Sequence, residues 1–212
     1  DCRKITGSKQ SLTDDDFFLK ELHSSEKWPA FLQTAVEKKR TIVICGETGS
    51  GKTVLTRALL KSLHKDERVI ILEDVHEVTV DHVVEAVYMM YGDAGKIGRV
   101  SATDALRACM RLTPGRIIMT ELRDDAAWDY LKALNTGHPG GVMSTHANSA
   151  RDAFNRIGLL IKATPIGRML DMSDIMRMLY STIDVVVHME KRKIKEIYFD
   201  PEYKMQCVNG SL

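Results

Sequence analysis

Residues 41–53 read Thr-Ile-Val-Ile-Cys-Gly-Glu-Thr-Gly-Ser-Gly-Lys-Thr. A short apolar, β-rich run, Thr41–Cys45, stops at a glycine. From there Gly46, Glu47, Thr48, Gly49, Ser50, Gly51, Lys52 and Thr53 fit G-x-x-x-x-G-K-[ST] at every fixed position. Beyond the motif, Leu55, Ala58, Leu59 and Leu63 recur at helical spacing across Val54 to Leu63. The motif thus lies between a strand and a helix, the context it requires. Glycines let the backbone fold tightly enough for successive N–H groups to face one anion. The helix that follows adds its positive N-terminal end. In such a loop Lys52 reaches the β- and γ-phosphates and the Thr53 hydroxyl meets Mg²⁺, so MgATP is the expected ligand.

Working outward, apolar runs recur at Val69–Leu72, Ile117–Met119, Gly141–Thr145, Val185–Val187 and Ile194–Phe199. Between them lie helical patterns. They precede the loop at Asp14 to Leu22 and Trp28 to Lys38. After it, Val83 to Tyr91 is read as helical and Gly92 to Gly98 as a loop. Ser101 to Asp104 has capping spacing, Asp124 and Asp125 open a helix, and Asn148 or Ser149 caps another. A last helix is expected over Ser173 to Tyr180. Alternating strands and helices imply a mostly parallel sheet covered on both faces. The final two strands flank the charged turn Glu190–Lys193 and read as an antiparallel edge hairpin.

In an open α/β sheet, ligands collect at the carboxyl ends of the strands. Glu73 and Asp74 end the second apolar run, Glu121 follows the third, and His146 follows the fourth. An acid, an acid and an imidazole are therefore expected on the edge that carries the loop. Glu121 suits holding Mg²⁺ through water. Glu73 suits polarising an attacking water as general base. His146 suits a hydrogen bond to the γ-phosphate.

These segments carry a resemblance. Gly46–Thr53, Ile71–Val78, Ile117–Arg123 and Thr136–Ala150 look like the Walker A, Asp, Walker B and His boxes of secretion ATPases, in order. The match is closest to the hexameric traffic ATPases of bacterial type IV secretion, with type II secretion and pilus motors more distant. It spans about residues 12 to 200. The resemblance implies a RecA-like P-loop NTPase in a homo-hexameric ring, cytoplasmic and peripheral at the inner membrane. Such a ring would work with inner-membrane components of a secretion apparatus to power pilus assembly and transfer of protein or DNA. It places Glu73 on the catalytic glutamate, Glu121 on the Walker B glutamate and His146 on the His-box histidine. Arg123 falls on the arginine after Walker B, near a phosphate or a subunit boundary, and His138 on the T-G-H histidine. Residues 1–12 would be a linker from an N-terminal domain that contributes further arginines, and 13–212 the ATPase domain. Two departures stand out. Thr120 replaces the usual glycine before the Walker B glutamate, and Arg111-Leu112-Thr113-Pro114 keeps only the first arginine of R-M-R-P.

Bulk properties agree. The chain has 212 residues, 44% hydrophobic and 28% charged, with net charge +1, which does not suit a uniformly basic nucleic-acid surface. No stable direct nucleic-acid binding is expected, and no apolar run is long enough to span a bilayer. Cys2, Cys45, Cys109 and Cys207 show no zinc or C-x-x-C spacing and read as structural or incidental. Met169, Met172, Met176 and Met178 read as core filler, and Lys191, Arg192, Lys193 and Lys195 as a solvated turn. The rival readings are a soluble P-loop kinase and a nucleotide-dependent scaffold with incidental hydrolysis. A kinase would want an Arg- or Lys-rich acceptor lid, which the sequence lacks.

Overall fold

The computed structural model describes residues 10–92, 100–123 and 126–210. The chain opens with helices α1 (Asp14–Ser24) and α2 (Trp28–Glu37), then strand β1 (Ile42–Cys45) and helix α3 (Lys52–Leu60). Strands β2 (Arg68–Glu73) and β3 (Glu85–Met90) follow, then α4 (Ala102–Met110), β4 (Arg116–Met119), α5 (Ala127–Asn135) and β5 (Val142–Thr145). The remainder is α6 (Ala150–Ala163), a 3₁₀ turn at Gly167–Met169, α7 (Met172–Thr182), β6 (Val185–Glu190), β7 (Lys193–Phe199) and α8 (Pro201–Asn209).

The strands form one sheet in the order β3-β2-β4-β5-β1-β6-β7. All neighbours run parallel except β6 and β7, which are antiparallel at the edge. The alternation of side chains explains why both faces must be covered. Ile42 and Ile44 join Val69, Ile71 and Val185 in one buried cluster with residues of α1, α2 and α3. Val43 and Cys45 join Ile70, Leu72 and Ile117 in the other, with residues of α4, α5, α6 and α7. Period-two alternation sends successive residues to opposite faces, and each face meets helices. The expected architecture is the one observed.

Three local readings need correction. Residues 85–90 of the Val83–Tyr91 segment are a strand, not a helix. Val83, Val87, Tyr88 and Tyr91 are β-branched or aromatic, and six residues pair in parallel with β2. As an edge strand, β3 keeps its side chains largely exposed, so no clean alternation marks it. Helix α7 is not the last. Asp200 caps α8 through the Tyr203 N–H, Pro201 occupies its first turn, and Gly210 closes it at φ 63°. Those are ordinary start and stop signals. On α3, Ala58 faces outward and Leu60 is buried in its place. Of the cap candidates, Ser149 takes the position before α6, accepting from Asp152 N–H at 3.0 Å. Residues 93–98 of the expected loop, Asp124 and Asp125 lie outside the described residues, as do residues 1–9 of the expected linker.

The strand ends opposite the phosphate loop are tied by Arg116, which is fully buried. Its Nε and Nη2 donate to the two carboxylate oxygens of Glu67 at 2.9 and 3.1 Å. Nη1 and Nη2 both reach the Val36 carbonyl at 3.0 Å, and Nη1 reaches that of Gly140 at 3.3 Å. A side chain at Gly140 or Gly141 would collide, respectively, with Lys39 Cα at 2.9 Å and Leu134 Cδ2 at 2.4 Å. The two glycines of the His box are thus packing requirements, and His138 belongs to the same end, its Nδ1 lying 2.8 Å from the Pro114 carbonyl. Burial raises the Glu67 pKa, but the Arg116 hydrogen bonds and charge outweigh it and hold it below its usual value. A depressed carboxylate stabilises the fold above its unfolded pKa, and that contribution is lost as pH falls through the folded value. Arg116→Ala is expected to cost about 3–5 kcal/mol, because one partner of a buried pair is left alone. Urea unfolding at pH 7 measures the loss, which should shrink only once the pH falls below the usual carboxylate range and Glu67 protonates.

Candidate active site

Because β1, β2, β4 and β5 are parallel, their carboxyl ends share one edge, and the chemistry collects there. Gly46, Gly49 and Gly51 take φ values of 149°, 77° and 97°, and Gly51 serves as the left-handed cap of α3. At Gly46 the requirement is also one of space. A Cβ there would come within 2.3 Å of the Met189 carbonyl and 2.6 Å of Ser50 Oγ. Lys52 Nζ donates to the carbonyls of Gly46 and Glu47 at 2.8 and 2.9 Å, so the ammonium spans the loop it stabilises. Burial lowers its pKa, opposed by the charge of Glu121. Ser50 Oγ is buried with no hydrogen-bond partner among the described residues. A buried hydroxyl facing inward from a loop of turned backbone suits an anion.

The loop floors a cavity of about 820 Å³. Lys52, Thr53, Asp74, Glu77, Glu121 and His146 line it, together with Thr120, Ser144 and Arg192. Each of the three strand ends therefore delivers a group to the cavity, the second through Asp74. His146 Nε2 lies 3.7 Å from Glu121 Oε1. Arg123 Nη2 lies 3.4 Å from Glu121 Oε2 and is also ion-paired to Asp74. Thr120 fills the place of the expected glycine without disturbing the strand: its N–H and hydroxyl both reach the Leu72 carbonyl, at 3.1 and 3.4 Å.

Glu73 is placed otherwise. It is fully buried, and its carboxylate accepts from the N–H groups of Glu77 and Val78 at 3.1 and 3.0 Å and contacts His76 Nδ1 at 2.9 Å. Its position in β2 explains this. Side chains alternate, so Glu73 follows Val69 and Ile71 to the face where Val78, Val80 and Val83 pack. It serves as the peg for the loop after β2. With Asp74, this loop presents Glu77 to the cavity, and Glu77 Oε2 accepts from the Thr53 hydroxyl at 3.1 Å. The Arg57 Nε donates to the Glu77 carbonyl at 2.7 Å and holds the loop against α3. Sequence reasoning quoted this residue without choosing it. The signal was the second glutamate of Glu73-Asp74-Val75-His76-Glu77, four residues on.

Other expectations resolve more simply. Cys45, Cys109 and Cys207 are buried and free. Burial pushes the Cys45 and Cys109 thiols up to about 12, which removes them as nucleophiles near neutrality. Met169 is 85% exposed and Met172 is 37% exposed, so only Met176 and Met178 of that stripe pack against the core. Among the described residues no group of three or more His, Cys, Asp or Glu is arranged to hold a metal, and no helix is long and apolar enough to cross a membrane.

Fold and loop together define the class: a P-loop nucleotide-binding domain on a RecA-like sheet. A family model described as "Type II/IV secretion system protein" matches residues 9–195. The type IV secretion system protein VirB11 of Brucella suis biovar 1 is 37% identical over 212 residues, covering 95% of this chain and 59% of that protein. The type IV secretion system protein PtlH of Bordetella pertussis is 40% identical over 167 residues, covering 78% of this chain and 49% of PtlH. The crystal structure of the B. suis VirB11 ATPase in complex with sulphate superposes with a TM-score of 0.85 at 36% identity, over 92% of this chain and 60% of that one. The pilus retraction motor PilT with bound ADP matches in fold, with a TM-score of 0.62 at 22% identity, over 82% of this chain and 51% of PilT. This chain belongs to the type II/IV secretion system protein family. It spans less than two thirds of the length of the two curated relatives described.

Proposed function

We propose that this chain is the ATP-hydrolysing motor domain of a hexameric type IV secretion ATPase, powering pilus assembly and the transfer of protein or DNA. The observation that carries the reading is one cavity holding a phosphate-binding loop, Lys52, the Thr53 hydroxyl and three carboxylates, Asp74, Glu77 and Glu121. A site built only to bind would not need a carboxylate held beside Thr53.

The residues fit Mg²⁺ as a nucleotide-borne ion rather than a protein-caged one. Thr53 Oγ1 and, through water, Glu121 would hold it jointly with phosphate oxygens, and it would neutralise charge developing on the transferred phosphoryl group. Gly46–Thr53 wrap the phosphates. Glu77 takes the proton of the attacking water as its oxygen bonds to the γ-phosphorus, and the bond to the β-bridging oxygen breaks to leave ADP. Glu73 positions Glu77 by fixing its backbone N–H. Arg123 steadies Asp74 and Glu121, and His146 stands where the γ-phosphate oxygens would lie. Residues 13–212 form this unit, and a linked N-terminal domain would complete the phosphate shell. The ring would sit peripherally at the cytoplasmic side of a bacterial inner membrane, docked on secretion components.

The test is native mass measurement of the intact protein with and without a non-hydrolysable ATP analogue, alongside phosphate release. Six copies with Mg²⁺-dependent release of phosphate are expected. A persistent monomer that phosphorylates an acceptor would favour a kinase, and a hexamer without turnover a scaffold.

A further inference from the structure

The basic turn between β6 and β7 is exposed, as its composition implied, and it also touches the phosphate loop. Lys191 and Arg192 form a two-residue hairpin turn with φ values of 49° and 63°. Positive φ at both positions suits Asn-Gly, and long side chains there are unusual. A register shift between His188 and Met189 precedes the turn and re-aims it, as bulges beside sites do. The turn then rests on the phosphate loop. The Arg192 N–H donates to the Ser50 carbonyl at 3.1 Å, and Arg192 Cα stands 3.4 Å from where a Gly51 Cβ would be. Arg192 lines the 820 Å³ cavity with Lys52 and Thr53. Lys191 instead lines a separate cavity of about 310 Å³ across the loop, with Glu47 and Asn148. Among the described residues the Arg192 guanidinium forms no ion pair with a carboxylate.

Resting on the nucleotide-site reading above, we propose that the β6–β7 turn is a second phosphate-recognition element, in which Arg192 contacts the α- and β-phosphates of the bound nucleotide. Its place decides which phosphates. It sits over Ser50 and Gly51, the part of such a loop whose N–H groups cradle the α- and β-phosphates. The carboxylates and His146 gather at the Lys52–Thr53 end, where the γ-phosphate belongs. A guanidinium is matched to phosphate oxygens in shape and charge, and the strained turn holds it over the loop without other support.

The test is calorimetric titration of the intact protein with MgADP and MgATP, with melting temperature and saturated turnover measured on the same samples. Arg192→Ala should weaken both ligands by about tenfold and by the same factor. Lys191→Ala, in the same turn but facing the other cavity, should leave both affinities within about twofold. The double variant Lys191→Asn, Arg192→Gly should melt higher, since the turn is relieved, yet still lose about tenfold in affinity. Unchanged affinity in Arg192→Ala, with binding abolished in Lys52→Ala, would overturn the proposal and leave the nucleotide site standing. Binding retained in Lys52→Ala would remove the site itself. A loss confined to ATP and turnover, or one seen only where melting also falls, would equally overturn the α/β-phosphate role.

Discussion

Lys52→Ala should weaken MgATP binding by about a hundredfold or more, and turnover should fall below detection. Its ammonium lies against the loop backbone, 2.8 Å from the Gly46 carbonyl and 2.9 Å from that of Glu47. On binding, those hydrogen bonds give way to phosphate oxygens. Two charged hydrogen bonds at about 1.5 kcal/mol or more each correspond to about two decades in affinity. The fold should lose little stability, because the Glu47 carbonyl is exposed and can take water, which confines the loss to the part-buried Gly46 carbonyl. Equilibrium titration with MgATP and a urea melt on one preparation separate the two effects. Wild-type turnover in this variant would dissolve the site.

Glu77→Gln carries the second large expectation. Turnover should drop by about 10²–10⁴, while MgATP affinity stays within a few-fold, since the amide keeps the shape and loses the base. Glu73→Gln is its counterpart and should behave differently. The buried carboxylate accepts from two N–H groups and meets His76, and an amide would turn one donor against another. That should lower stability by about 1–3 kcal/mol and reduce turnover only as far as Glu77 is displaced. Pre-steady-state phosphate release, read with a melting curve, distinguishes them. Full turnover in Glu77→Gln, with arrest in a well-folded Glu73→Gln, would return the base to Glu73.

These two glutamates show what the sequence made legible. The motif at Gly46–Thr53 and the short apolar runs after it located the edge, the loop and most of the strands, because buried parallel strands leave continuous apolar signatures. Which acid at that edge meets the phosphate depended on side-chain direction. Counting alternation from Val69 turns Glu73 inward, but only the packing of Val78, Val80 and Val83 shows that this face is closed. Strand β3 escaped because an edge strand with both faces half exposed carries no clean period. Helix α8 was written in Asp200-Pro201 and Gly210, and its weak apolar face hid it. Arg192 looked like a solvated charge, and only the fold of the hairpin carries it to a loop some 140 positions earlier in the chain.

Arg116 has a mechanical meaning as well as an energetic one. It clamps the end of α2, the start of β5 and the approach to β2 at the edge remote from the phosphate loop. A sheet pinned at one rim and loaded at the other behaves as a lever with a fixed fulcrum. The ends of α2, β2 and β5 held by that one guanidinium cannot part there without breaking the Glu67, Val36 and Gly140 contacts together.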